Sequence, residues 1–344
     1  MPPLDNLTKN EPMRPIRHLL KGVIAALTLA GVSASAEQRP NILFCISDDQ
    51  SWAYTGANGD PIVKTPAFDR IAAEGLRFVH SFCNAPTCGP SRSAILTGQP
   101  IWRLEEAGNI HSTLPAKFAT YTEELQKAGY IVASTGKGWG PGRLEPGDRT
   151  QQPAGTPRHG RTLKPPFSGI QNIDYAGNFD DFVNELRGDQ PFCFWLGALE
   201  PHRGFEQGSG IKTGKNPASV VVPRIFPDQE IVRSDMLDYL VEIEHFDAMV
   251  ARAIATLEKR GLLDNTIIVF SADNGGTSSA GSYGNIYFNR RFAGLPALPL
   301  EEDLKHVDKI GTGEVPALYP MGWGQVSNTP FPSFTGLDAS GPIS

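Results

Sequence analysis

The chain has 344 residues, a formal net charge of −6 and four cysteines. That length suits one large α/β domain, or one domain with a small companion. The mild acidity, without a basic cluster, argues against a nucleic-acid partner.

Residues 1–36 read as an export signal. Arg14, Arg17 and Lys21 precede an apolar stretch at 22–32 that is too short to span a bilayer. Ala34-Ser35-Ala36 then forms a small-residue cleavage site before Glu37. The expectation is an exported protein, periplasmic or secreted, with no membrane span after cleavage.

The run Asn41–Ser47 (NILFCIS) is nearly all apolar and predicts a strand buried on both faces. It ends in Asp48-Asp49, where open α/β sheets place ligand-binding residues. Adjacent carboxylates repel unless a cation or donors compensate. A calcium site and a solvated acidic loop both fit this pair. A helix is predicted over 67–74, stopped by Gly75, and a strand over 76–82.

The string Cys88-Gly89-Pro90-Ser91-Arg92-Ser93-Ala94-Ile95-Leu96-Thr97-Gly98 follows. Pro90 suits the first turn of a helix, and a helix start favours anions. Arg92 adds a cation with forked donors one turn after Cys88. The residues alone allow either a nucleophile beside an oxyanion site or a buried structural cysteine before an ordinary helix.

A helix over 121–128 and a strand over 130–135 lead to Gly136-Lys137-Gly138-Trp139, a Gly-rich turn that can bring a lysine near an anion. Residues 143–173 are rich in Pro, Gly and Arg and predict a long surface loop. A helix over 179–186 and a buried strand over 192–199 precede Glu200-Pro201-His202-Arg203. Residues 204–230 read as irregular. The clearest helix covers 234–260, and on it Asp247 is expected to be solvated or capping. A strand over 266–271 ends in Asp273-Asn274-Gly275, which fits either a turn or two oxygen ligands for calcium. Cys45 and Cys193 sit in apolar runs and predict buried thiols rather than bridge partners.

The string 88–98 closely resembles the sulfatase signature C-x-P-S-R-x-x-x-L-T-G. That resemblance implies an alkaline phosphatase-like α/β fold with a mixed, mainly parallel central sheet and helices on both faces. It implies that Cys88 is converted to formylglycine by a formylglycine-generating enzyme that reads Pro90 and Arg92. One calcium ion (Ca2+) would be held by Asp48, Asp49, Asp273, Asn274 and residue 88. Arg92 would hold residue 88 in place, with Lys137 and His202 meeting the sulfate. The hydrated formylglycine would attack sulfur, displace an alcohol or amine, and lose sulfate to regenerate the aldehyde. The implied substrate is a sulfated small molecule or glycan.

Three departures qualify the match. The family's G-K-x-H element has Trp139 at its histidine position, so one sulfate-contacting or proton-handling group is absent or supplied elsewhere. Residues 322–331 resemble arylsulfatase-type members, and Pro201-His202-Arg203 is similar to the heparan N-sulfatase branch. Beyond 331 the family has a lysine, and Thr335 stands near its place. The expected organisation is a catalytic domain over 37–331 and a non-homologous tail over 332–344, from truncation or a frameshift, without the family's smaller C-terminal subdomain. Low stability and little activity would follow. The alternatives are a phosphate or phosphonate ester hydrolase of the same superfamily and a non-catalytic remnant that keeps a metal or anion site.

Overall fold

Four largely apolar runs and one two-residue strand line up as one parallel sheet. In this computed structural model, which describes residues 39–145, 148–202, 204–224, 226–276, 295–296 and 298–309, the strands are β1 (Asn41–Ser47), β2 (Ile131–Gly136), β3 (Thr156–Pro157), β4 (Phe192–Gly197) and β5 (Thr266–Ala272). Their order is β3-β2-β4-β1-β5, and every pairing within this sheet is parallel. The mainly parallel sheet expected from the sequence is parallel throughout over the described residues. The signal-like segment 1–36, the stretch 322–331, Thr335 and the tail 332–344 lie outside the described residues.

Helices cover both faces, as buried parallel strands require. Alternate residues of β1 point opposite ways: Leu43 and Cys45 join one core, and Ile46 joins the other. The first core is closed by α1 (Pro66–Glu74), α4 (Tyr175–Glu185) and α6 (Glu230–Lys259), with Phe179, Phe182, Phe194, Phe246 and Val250 buried between them. The second lies under α2 (Cys88–Thr97) and α3 (Tyr121–Lys127), where Leu96, Leu114, Trp139 and Trp195 pack.

The helix starts are chemically marked. Thr120 and Glu123 form a reciprocal capping box on α3. Asp174 caps α4 through Gly177 N–H at 2.9 Å, so that helix begins four residues before its expected start. Asp247 is a cap, but not of its own helix. Its buried carboxylate accepts from Ala67 N–H at 3.0 Å and Phe68 N–H at 2.9 Å, at the start of α1. Those donors have no partner within their helix.

Three expectations are corrected. Residues 76–82 form no strand: Leu76 and Phe78 are 84% and 74% exposed. Apolar patterning makes a strand only where a neighbour completes the ladder. β5 pairs only with β1 among the described residues, and Leu76, Phe78 and Phe82 line a groove of about 550 Å³ beside it. Residues 143–173 are not simply a surface loop. Arg149 and Ala154 are buried, because the guanidinium satisfies chain carbonyls at Leu114 (2.8 Å) and Phe118. Residues 204–230 also contain a short helix, α5 (Ser209–Lys212).

All four cysteines are free thiols, and Cys45 and Cys193 are buried as expected. Among the described residues no helix is long and apolar enough to cross a membrane.

Candidate active site

The site is assembled by strand register. β1 and β5 run side by side with Ser47 opposite Ala272, so the residues that follow, Asp48-Asp49 and Asp273-Asn274, emerge together. On the other flank Ile46 pairs with Gly197, and Gly197 with Gly136. Lys137 therefore leaves β2, and the segment reaching His202 leaves β4, at the same end of the sheet. All four loops sit at strand C-termini, the usual ligand-binding edge of such sheets.

Two glycines make that arrangement possible. Gly136 has φ +68, and a Cβ there would collide with Gly197 O and the Tyr175 ring. A Cβ on Gly197 would collide with Lys137 O. The backbones pass so closely that no side chain fits between them.

Cys88 begins α2, as the proline-led start predicts, and its Sγ lies 3.4 Å from Asp48 Oδ1. Arg92, one turn on, has no exposed surface. Its Nε donates to Asp273 Oδ2 at 2.9 Å, and its remaining nitrogens reach Lys137 O (2.9 Å), Gly138 O (3.0 Å) and Asp48 Oδ1 (3.8 Å). Lys137 Nζ lies 2.5 Å from Asp48 Oδ2, and His202 Nε2 lies 3.6 Å from Asp49 Oδ2. Asn274 Nδ2 donates to Asp49 Oδ1 at 2.8 Å. The eight side chains singled out from the sequence thus form one connected cluster; Thr335 lies outside the described residues.

The charges in this cluster do not balance. Asp48, Asp49 and Asp273 face Arg92 and Lys137, with His202 at the rim. Burial would raise Asp48, but Lys137, His202 and Arg92 hold its carboxyl well below the usual range. Burial, with Asp48 beside it, pushes Asp49 up, and burial and Asp48 push Asp273 up to about 7. Burial opposes the Lys137 ammonium, yet Asp48 raises its pKa and keeps it charged. The Cys88 thiol is pushed well up by burial, then by Asp48, so at neutral pH it is a thiol and a poor nucleophile.

Asp49 Oδ2 and Asn274 Oδ1 are buried and accept no hydrogen bond among the described residues, with His202 Nε2 standing 3.6 Å from the former. Ligand atoms of Asp48, Asp49 and Cys88 lie within 4.8 Å of one another. Orphaned oxygens beside an excess of carboxylates fit a hard divalent cation, which takes carboxylate and amide oxygens.

Some supporting contacts carried no readable signal. Ser91 Oγ donates to Asp273 O. Asp48 N–H donates to Glu200 O at 2.9 Å, tying the first acidic loop to the loop of His202. Trp139 is 6% exposed and packs in the second core, its indole N–H donating to Ser93 Oγ at 2.8 Å. It braces α2 from behind and takes no part in the cluster.

The sulfatase family profile matches residues 40–292. The chain belongs to the sulfatase family. An ulvan-active sulfatase of Formosa agariphila is 27% identical over 269 residues, covering 69% of this chain and 50% of that protein. N-acetylgalactosamine-6-sulfatase of Mus musculus is 38% identical over 127 residues, covering 33% and 24%. The matches therefore span half of the first relative's length and about a quarter of the second's. Among solved structures, a protein in complex with its substrate D-glucosamine-2-N,6-O-disulfate superposes with a TM-score of 0.52 at 21% identity, covering 69% of this chain and 66% of that one. A phosphonate monoester hydrolase of Agrobacterium radiobacter gives 0.52 at 16%, covering 68% and 62%. At these identities both establish the shared α/β fold alone.

Proposed function

We propose that this sulfatase-family chain carries the catalytic core of a calcium-dependent sulfatase acting on sulfated glycans. The observation that carries the reading is the convergence of Asp48, Asp49, Asp273 and Asn274 on the residue at 88, with two buried oxygens lacking donors. Those four side chains and residue 88 would hold the ion. A calcium ion bound there would neutralise charge on the sulfuryl oxygens and lower the pKa of a coordinated hydroxyl.

The remaining groups have separate tasks. A buried, protonated thiol is the wrong nucleophile at neutral pH. Oxidation of Cys88 to formylglycine by a dedicated enzyme would supply a hydroxyl in the hydrated form. Arg92 fixes Asp273 and Asp48 through its 2.9 Å pair and longer 3.8 Å contact and opposes the upward shift of Asp273. Lys137, 16% exposed at its side chain, offers a fixed positive charge for a sulfuryl oxygen. His202, about one-third exposed beside Asp49, can give a proton to the departing oxygen or nitrogen. The glycan assignment is supported by the names of the ulvan- and N-acetylgalactosamine-directed relatives. Export, on the strength of the 1–36 segment, belongs to the same proposal.

The test has two parts. After co-expression with a formylglycine-generating enzyme, mass spectrometry of the peptide containing residue 88 is expected to show the aldehyde. Parallel assays with sulfate, phosphate and phosphonate esters are expected to show sulfate release. An unmodified thiol throughout would overturn the nucleophile, and preferential phosphonate turnover would move the chain to the other ester class. Calcium uptake by modified protein without turnover of any ester would leave a binding remnant.

A further inference from the structure

The acidic turn after β1 is held in an uncommon backbone shape. Asp49 has φ +62, in the left-handed region that residues other than glycine seldom adopt. Such a conformation persists only where its surroundings enforce it. Two of the restraints come from within the cluster: Asp49 N–H donates to Asp273 Oδ1 at 3.1 Å, and Asp48 N–H donates to Glu200 O at 2.9 Å. The third comes from outside, from a tyrosine on the long helix.

Tyr239 lies in α6 and is 4% exposed. Its hydroxyl donates to Asp49 O at 3.0 Å and accepts from Ser51 N–H at 2.8 Å. A single phenol oxygen therefore bridges both sides of the strained turn. Its ring is fixed edge-on against Tyr54 at 5.2 Å and tilted against Phe205 at 5.8 Å. The helix beneath is anchored through Phe246 and Val250 in the main core.

We infer that Tyr239 is a positioning residue for the cation site, its hydroxyl bridging Asp49 O and Ser51 N–H so that the left-handed turn keeps both aspartates on one ion. Without that oxygen, a buried carbonyl and a buried N–H lose their shared partner. The turn is then free to leave the left-handed region, and that movement carries the Asp49 carboxylate away from Asn274 and Asp273. The inference rests on reading Asp48, Asp49, Asp273 and Asn274 as cation ligands.

Isothermal titration of calcium into the chelator-stripped full chain tests this without any turnover. Tyr239→Phe keeps the ring packing and removes only the bridging oxygen. We expect its calcium affinity to fall about tenfold, the scale of one to two hydrogen bonds. Asp247→Asn on the same helix is the control for a purely structural loss, since the Asp247 carboxylate accepts from the N–H groups at the start of α1. It is expected to lower the melting temperature and leave calcium affinity within about twofold. A Tyr239→Phe chain that melts earlier but binds calcium as tightly as wild type would overturn the inference. Wild type that takes up no calcium would overturn the cation reading itself, a distinct result. Hydrogen exchange of the Ser51 amide in unaltered protein needs no variant: slow exchange supports the bridge, and exchange at the rate of an open loop overturns it.

Discussion

Removing the charge of Arg92 while keeping its apolar stem, as Arg92→Met does, should cost the fold several kcal/mol. The guanidinium has no exposed surface and lies 2.9 Å from Asp273 and 3.8 Å from Asp48. Deleting one partner of a buried ion pair typically costs about 3–5 kcal/mol, because the other charge is left uncompensated. Here the low end applies. Asp273 already titrates at about 7 and Arg92 is one of the groups holding it down, so without the arginine it takes up a proton and sheds part of the penalty. For a domain of this size ~3 kcal/mol is a fall in melting temperature of about 6–12 °C. Circular dichroism melts in chelator and in calcium would measure it. The gap between wild type and variant should narrow in calcium, since the ion supplies charge the variant lacks. Arg92→Lys should fall between the two, because an ammonium cannot also reach the carbonyls of Lys137 and Gly138. A fall of less than about 2 °C for Arg92→Met in chelator, under ~1 kcal/mol, would refute the reasoning.

Trp139→His, which restores the residue usual in the family, should destabilise by about 2–4 kcal/mol and not add a sulfate contact, because the indole fills the core behind α2; a thermal melt checks it. Asp247→Ala should cost about 2 kcal/mol in urea unfolding, through the orphaned Ala67 and Phe68 N–H groups. His245 has a buried Nε2 without a hydrogen-bond partner among the described residues, and burial, then Arg252, lowers its pKa to about 4. A histidine depressed in the folded state contributes stability above its unfolded pKa, and that contribution is lost as pH falls from about 6.5 through about 4. Acid titration of stability should lose up to ~3 kcal/mol across that window. His245→Gln should flatten the curve.

The parts legible in the sequence were those whose chemistry is local. Uninterrupted apolar runs gave away β1 and β4 because strands buried on both faces need them; β5 carries the same pattern although it is only half-buried among the described residues. The pairs Asp48-Asp49 and Asp273-Asn274 declared themselves at strand ends, and neighbouring parallel strands did the rest by register. What could not be read depends on partners distant in the chain. Residues 76–82 carry a strand pattern but find no ladder among the described residues. Trp139 follows a glycine-rich turn, and only the packing of α2 shows why its ring is held inside. Asp247 looked like one more polar residue on a long helix, yet its donors lie 180 residues away. Tyr239 fits the apolar face of that helix so well that nothing marks its hydroxyl as special.

The paired glycines at the ends of β2 and β4 have a consequence for how such sites are recognised. The lysine beside Asp48 is placed by two missing methyl groups, not by any residue that would appear on a roster of functional side chains. A homologue could keep every acid, the cysteine, the arginine and the histidine, exchange Gly197 for alanine, and pass a motif search intact. Its two strands would nonetheless be forced apart, and its lysine would swing away from the carboxylate it serves. In this fold the emptiness between two backbones is as much a part of the candidate site as the groups around it.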